Sequence, residues 1–289
     1  MSPAPPQVHV VAQGFGFTEC PRWHQGELWF VDFLSRQVLS LDPATRQVTT
    51  RATVPGTPGG LGFLPDGTPL VVSQNDFTLQ TISPDGRLAR HADLSRFARG
   101  AANDMLVDAQ GRAYVGHHGY AAFAGAEPRL ASLLLVRADG TVVETAGNLV
   151  FPNGMAMTAD RRRLIVAETF AHRLTMFEIA EDGALSTRRL WAELPGEGPD
   201  GICIDADDNV WASCLFSQSL ARVPEGGPVN CRISTGDRWA VSCAIGGRNV
   251  DTLFCATAET SMEKLRRGVS SAFIEAVALP PRGLQPQIA

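Results

Sequence analysis

The chain repeats one pattern six times, at intervals of 40 to 50 residues. In each copy, an apolar run of strand length is followed by a tight polar turn. A second run rich in Val, Leu and aromatic residues comes next, which is typical of a β-hairpin. The copies begin at Glu19, Gly59, Asn103, Asn153, Asp200 and Ser242. An internal period of this size is typical of repeat folds, so it limits the architectures open to the chain.

A second pair of strand-like segments lies between successive copies. Residues 38–42 and 47–49 form one such pair, and residues 133–136 and 141–143 form another. Two hairpins per copy make a four-stranded antiparallel sheet, which is the size of one propeller blade. The sequence therefore predicts an all-β fold, a six-bladed β-propeller with four antiparallel strands per blade. Two packed all-β domains are the alternative.

The predicted propeller takes up the whole chain. Residues 1–289 are expected to form a single domain, because no change of composition separates the copies. Residues 1–12 are expected to be a loose N-terminal segment or a strand that closes the ring. Helical periodicity is confined to residues 262–267, which could form one turn.

Composition and charge indicate which binding partners and which cellular location to expect. A net charge of −5 gives no reason to expect nucleic acid or an anionic membrane as partner. No apolar run reaches the roughly 20 residues that span a bilayer, and residues 1–7 lack the features of a signal peptide. We therefore expect a cytoplasmic protein. The six cysteines form no CxxC pair and most lie in apolar runs, which favours buried free thiols.

The starting residues of the six copies predict a site. In a propeller the first strand of each blade lines the central channel, so equivalent residues form a ring. Two ring members are carboxylates and two are amides, with Gly and Ser in the other places. Carboxylates crowded into a channel repel each other unless a cation neutralises them, and oxygen donors without His or Cys favour a hard divalent ion. The alternative is a set of ordinary Asx turns, but four copies in one register favour a central metal site.

Several motifs make the chain resemble the gluconolactonase/regucalcin (senescence marker protein) family. They are FTECPRW with LWFVD, FPNGMAMTAD, GPDGICIDADDNVWAS and CAIGG with DTLFCATA, spread over roughly residues 13–283. Members of this family are six-bladed propellers and mostly metal-dependent lactonases. Those that hydrolyse sugar lactones often carry an arginine two residues before the conserved asparagine, where this chain has Ala101.

The resemblance implies a role for each polar ring residue. Glu19, Asn153 and Asp200 correspond to the metal ligands, Asn103 corresponds to a substrate-contacting asparagine, and Asp200 doubles as general base. The implied cofactor is one divalent ion. Ca²⁺ is favoured, and Mn²⁺, Mg²⁺, Zn²⁺ and Fe are the alternatives.

Loops that follow the second strands should gather around the ring. The longest, residues 117–131, contains His117, His118 and Tyr120, which we assign to substrate binding. This loop is a candidate lid, and a long surface connection is the alternative.

The expected function is that of a metal-dependent hydrolase that opens a lactone, with a divalent metal activating carbonyl and water. The partner would be a small lactone, either a sugar lactone or another. Two alternatives stay open: a phosphotriester or organophosphate hydrolase using the same ring, and a non-catalytic calcium-binding propeller.

Overall fold

A computed structural model describes residues 7–279, and nearly all of its regular secondary structure is β-strand. The first strand is β1 (His9–Phe15). Blade 1 follows with β2 (Thr18–His24), β3 (Glu27–Asp32), β4 (Gln37–Asp42) and β5 (Gln47–Thr53). Blade 2 consists of β6 (Pro58–Phe63), β7 (Pro69–Ser73), β8 (Thr78–Ile82) and β9 (Leu88–Asp93). Blade 3 consists of β10 (Ala102–Val107), β11 (Ala113–His117), β12 (Ala131–Val136) and β13 (Val142–Leu149).

The second half of the chain continues the same pattern. Blade 4 consists of β14 (Pro152–Met157), β15 (Arg163–Glu168), β16 (Arg173–Ile179) and β17 (Leu185–Glu193). Blade 5 consists of β18 (Pro199–Ile204), β19 (Val210–Cys214), β20 (Ser219–Val223) and β21 (Cys231–Ser234). The last strands are β22 (Trp239–Gly246), β23 (Thr252–Glu259) and β24 (Ser271–Ala278). Short 3₁₀ turns cover Ala122–Ala124 and Thr169–Ala171.

The six sheets confirm the predicted six-bladed β-propeller. In the first five blades the strands pair antiparallel in chain order, and the sixth sheet has the order β1-β24-β23-β22. The N-terminal strand therefore completes the last blade, and it is followed directly by the first strand of blade 1. Residues 1–6 of the N-terminal segment considered above lie outside the described residues.

Six hydrophobic clusters hold the blades together, one at each junction. Strand alternation places buried side chains on both faces of each sheet, because every blade is covered by a neighbour on either side. The cluster of Cys20, Val31, Leu61 and Val71 joins blades 1 and 2. Corresponding clusters join the remaining consecutive blades, and the one that includes Val11 joins blade 6 to blade 1. The ring is thus closed by packing as well as by hydrogen bonds.

The predicted helical turn is also confirmed. Helix α1 (Met262–Arg266) begins after Ser261, whose hydroxyl accepts a hydrogen bond from the backbone N–H of Lys264. All six cysteines are free, as predicted, and five of them are buried. No helix in residues 7–279 is long and apolar enough to cross a membrane.

Candidate active site

Four of the six equivalent positions meet in one pocket. Glu19, Asn103, Asn153 and Asp200 line a cavity of about 70 Å³ at the end of the channel where the first strands begin. Each is the second residue of its strand, so the repeated register brings the four side chains together. The remaining two positions, Gly59 and Ser242, add nothing to the lining.

The pairing register is irregular beside the polar residue in each of these four strands. In β2 the register shifts between Glu19 and Arg22, and in β18 it shifts between Pro199 and Ile202. Strands β10 and β14 shift at the same place. A bulge bends the strand and re-aims the side chain beside it. Strands β6 and β22 shift in a similar way, so the irregularity is shared by all six first strands.

Asn153-Gly154 and Asp200-Gly201 lie inside strands β14 and β18, so they are not the Asx turns considered as an alternative. The two glycines allow first strands to approach closely. A Cβ atom on Gly154 would lie 2.5 Å from the Asp200 carbonyl oxygen, and one on Gly201 would lie 1.9 Å from Ser242 Oγ. The Asx-Gly pattern thus serves close packing near the axis.

Hydrogen bonds orient the two amides. Thr169 Oγ1 donates its proton to the Pro199 carbonyl at 2.8 Å, so it can only accept from Asn153 Nδ2, 3.3 Å away. This turns Asn153 Oδ1 towards Asn103, whose Nδ2 donates to it at 3.1 Å and to the Pro152 carbonyl at 3.2 Å. No donor in the described part of the chain reaches Asn103 Oδ1. Asn153 Oδ1 is therefore oriented towards Asn103, whereas Asn103 Oδ1 is left without a donor among residues 7–279.

The two carboxylates have no partner to neutralise them. Within residues 7–279, neither Glu19 nor Asp200 makes a side-chain hydrogen bond or an ion pair, although Asp200 is only 7% exposed. Burial raises the pKa of Glu19 to about 7, and the charge of Asp104 adds to the effect. Burial likewise raises the pKa of Asp200 well above its usual range, and the negative charges of Glu19 and Asp104 raise it further. Two acids held this way favour a bound cation or a shared proton.

Asp104 is a neighbour that the sequence reasoning missed. It follows Asn103 directly, and its carboxylate accepts from Arg22 Nη2 at 2.9 Å and from the Met105 N–H at 2.7 Å. Arg22 also donates to the Met105 carbonyl at 2.8 Å, so it ties blade 1 to blade 3 across the channel. One indication of this neighbour was present in the sequence, an acidic residue directly after the ring residue Asn103.

The donor set fits a hard divalent cation. In residues 7–279 no three His, Cys, Asp or Glu side chains are grouped so that they could hold a metal ion. The ring instead offers two carboxylates without a partner and two amide oxygens. Oxygen ligands of this type suit Ca²⁺, Mg²⁺ or Mn²⁺. The cavity also has room for an ion and a few water-sized ligands, since one water needs about 10–15 Å³.

The three residues that we assigned to substrate binding, in the loop after β11, differ in their position relative to the pocket. His118 lines the pocket, but His117 does not. His117 Nδ1 accepts from the backbone N–H of Gly119 at 3.1 Å, and its Nε2 lies 3.0 Å from Ser132 Oγ and 3.2 Å from the Ser132 backbone N–H. Tyr120 also lies outside the lining, with its ring centroid 6.1 Å from that of Phe151. Of the three, only His118 lines this pocket, and the assignment of His117 and Tyr120 to substrate binding stays a prediction.

His118 is buried without a polar partner. It is 4% exposed, and within residues 7–279 its ring makes no hydrogen bond. The imidazole stacks on Phe151, with ring centroids 4.6 Å apart and planes 14° apart. Burial lowers the pKa of His118 to about 4, and His117 contributes to the shift. The ring is therefore neutral near pH 7.

Sequence reasoning missed the walls of the pocket, which are mostly apolar. Nine lining residues are hydrophobic: Phe17, Phe33, Phe123, Phe151, Phe170, Leu215, Trp239, Met262 and Leu265. Most come from loops and strand ends, where neither the strand period nor the repeat alignment predicts a position. A signal was available in Phe151, which directly precedes the Pro-Asn-Gly motif of β14.

Comparisons with known proteins agree with this fold. Residues 17–259 match the SMP-30/Gluconolactonase/LRE-like region. A 6-deoxy-6-sulfogluconolactonase from Pseudomonas putida is 28% identical over 257 residues, covering 85% of this chain and 84% of its own. A pentonolactonase from Haloferax volcanii is 27% identical, covering 83% and 81%.

A solved structure is similar over almost the whole chain. It is that of a calcium-binding protein, regucalcin, from Agrobacterium tumefaciens, with a TM-score of 0.78, 20% identity, and coverage of 99% of this chain and 98% of its own. At this identity the likeness shows the fold alone, whereas the family match spans most of the chain. The chain therefore belongs to the SMP-30/gluconolactonase/LRE-like family.

Proposed function

We propose that this protein is a lactonase that holds one divalent ion on Glu19, Asn153 and Asp200. The observation that carries the proposal is a pair of carboxylates without a partner among the described residues, Asp200 buried and Glu19 partly buried, next to two oriented amides in one pocket. The names of the relatives, a sulfogluconolactonase and a pentonolactonase, support a cyclic ester as the substrate. Ca²⁺ is the favoured ion, because carboxylate and amide oxygens are its usual ligands.

A bound divalent ion would supply Lewis-acid chemistry at the ester carbonyl and would lower the pKa of water. The chain itself supplies charge and position. Glu19 and Asp200 bring two negative charges, and Asn153 brings an oxygen whose direction is set by Thr169. Without such an ion the two carboxylates would repel each other in a site that excludes most water.

Asp200 is the residue we propose as general base. Its carboxylate lies in the pocket and accepts no hydrogen bond from residues 7–279. Both oxygens are therefore free to accept the proton of an attacking water. The water oxygen bonds to the carbonyl carbon as its proton moves to Asp200, the ring C–O bond breaks, and the ring oxygen takes up that proton from Asp200. The product is an open hydroxy acid. Asn103, with a free Oδ1, is proposed to contact the substrate beside Asn153.

Hydrolysis of δ-valerolactone tests the proposal. Turnover should require a divalent ion, should stop with EDTA, and should return when Ca²⁺, Mn²⁺ or Mg²⁺ is added back. The Arg163→Lys variant, altered in a surface ion pair with Glu225, is a control that should behave as wild type. Turnover that survives complete removal of metal would contradict the proposed metal site.

The same assay separates the two alternatives. A fluorophosphate hydrolysed in place of every lactone would favour a phosphotriesterase. Binding of Ca²⁺ without turnover of either substrate would favour a non-catalytic propeller.

A further inference from the structure

A connected set of aromatic rings surrounds the mouth of the pocket. We call it the aromatic arc, and it consists of Phe17, Phe33, Phe123, His118, Phe151 and Phe170. Successive ring centroids lie 6.4, 6.1, 5.8, 4.6 and 4.8 Å apart, so each ring contacts the next. The arc runs from blade 1 to blade 4, and all six rings line the same pocket as Glu19 and Asp200.

The wall above the polar floor offers few hydrogen-bonding groups. Thr169 is engaged with Pro199 and Asn153, and Gln74 Nε2 donates to the Pro58 carbonyl at 3.5 Å. No Lys or Arg is among the described residues that line the pocket. Within residues 7–279, what is left is the neutral imidazole of His118, the indole N–H of Trp239 and the side-chain oxygen of Gln74, which accepts no hydrogen bond. A ligand in this pocket therefore meets apolar surface nearly everywhere except at the floor.

A substrate with many hydroxyl groups is poorly matched to such a wall. Each hydroxyl that loses its water needs a partner in the site, and a buried polar group left without one weakens binding. Aromatic rings can cover the face of a sugar, but its hydroxyls at the rim still need donors and acceptors. An alkyl or aryl substituent has no such need, and it gains from being removed from water.

We infer that the substrate is a lactone with an apolar body, aliphatic or aromatic, and not a polyhydroxylated sugar lactone. This inference rests on the proposed lactonase function. The ester group would lie on the floor formed by Asn103, Asn153, Glu19 and Asp200. The apolar part would lie against the aromatic arc. His118 is positioned to hydrogen-bond a single polar atom of the substrate.

Two lactones with the same six-membered ring test the inference. δ-Octalactone carries a propyl substituent, and glucono-δ-lactone carries hydroxyls and a hydroxymethyl group. With metal present and the uncatalysed rate subtracted, kcat/KM should be at least ~30-fold higher for δ-octalactone, as expected if two hydroxyls lack partners. An equal or higher kcat/KM for glucono-δ-lactone would overturn the apolar substrate class and leave the lactonase proposal standing. If neither lactone turned over with any divalent ion, the lactonase proposal itself would fall, and the inference with it.

Variants at exposed positions locate the preference in the arc. Phe123→Ser should lower the ratio of the two kcat/KM values at least fivefold, and Phe123→Leu, which keeps an apolar side chain, should largely preserve it. Phe216→Ser is the matched control, because Phe216 is 48% exposed, similar to the 42% of Phe123, but lies outside the pocket lining. A ratio that stays unchanged in Phe123→Ser, or falls equally in Phe216→Ser, would contradict a role of the arc in selecting the substrate.

Discussion

At the scale of single residues, Glu19 and Asp200 carry the same charge in the same pocket but are assigned different tasks. Both lie at the second position of a first strand, and both lack a partner among residues 7–279. We assign Glu19 to metal binding only and Asp200 to metal binding and proton transfer. The two roles make different predictions at metal saturation.

Saturating metal should rescue Glu19→Gln in large part but not Asp200→Asn. Each substitution removes one negative charge and weakens metal binding, which excess ion can offset. Loss of a general base cannot be offset, so kcat of Asp200→Asn should stay ~10²–10⁴-fold below wild type. Measuring kcat over a metal titration separates binding from chemistry. Equal rescue of both variants would contradict the general-base role of Asp200.

His118 makes a second prediction at this scale, about pH and stability. Folding lowers its pKa from 6.5 to about 4, so between these values the unfolded chain takes up the proton more readily. The free energy of unfolding should therefore fall as pH decreases through this window.

Between pH 8 and pH 5, wild type should lose about 2 kcal/mol more stability than His118→Phe, which keeps an aromatic ring on Phe151. Urea unfolding at a series of pH values measures this difference. Identical pH dependence of the two proteins would mean that burial does not suppress protonation of His118.

At the scale of elements, β1 is the strand on which closure of the ring depends. It pairs antiparallel with β24, and its Val11 joins the cluster between blades 6 and 1. Phe15 of the same strand packs edge-on against Phe30 of blade 1, with ring centroids 5.1 Å apart. A charge on the inner face of β1 should therefore loosen the junction.

Val11→Asp should lower the free energy of unfolding by about 3 kcal/mol or more, because an unpaired carboxylate would replace the buried apolar side chain of Val11. Gln13→Asp is the control in the same strand, exposed to solvent, and should stay within about 0.5 kcal/mol of wild type. Urea unfolding compares the two, and hydrogen exchange at β24 should rise only in Val11→Asp. Similar stabilities would indicate that β1 is not needed to hold the ring closed.

At the scale of the whole molecule, the pocket draws its polar residues from four blades, so the proposed metal binding would depend on the folded ring. The four residues are spread from Glu19 to Asp200 along the chain and meet only when the propeller closes. An ion that binds the folded state and not the unfolded one stabilises folding by mass action.

Adding Ca²⁺ or Mn²⁺ at one hundred times its Kd should stabilise the fold by about 2.7 kcal/mol, which is roughly 5 °C or more in Tm. Thermal unfolding with EDTA and with added ion measures the shift. The Glu19→Gln, Asp200→Asn double variant is the control and should not respond to the ion. A Tm that is the same with EDTA and with every divalent ion would contradict the metal site.

The sequence alone predicted the number of blades, the alignment of the six copies and the four polar residues that share one position in them. These features depend on local rules, since the alternation of a strand and the chemistry of a tight turn are set by neighbouring residues. Because the same pattern occurs in all six copies, the position of Asn153 within its copy was enough to predict that it lies at the central channel. The same repetition made the family resemblance visible.

Only the tertiary structure decided what surrounds the ring. The pairing of Arg22 with Asp104, the different positions of His117 and His118, and the aromatic arc all depend on contacts between distant segments. Loop side chains such as Phe123 follow no period, because their direction is set by whatever packs against them once neighbouring blades meet. The polar floor of the pocket is therefore encoded locally, whereas its wall, and with it the preferred substrate, is a product of packing across the ring.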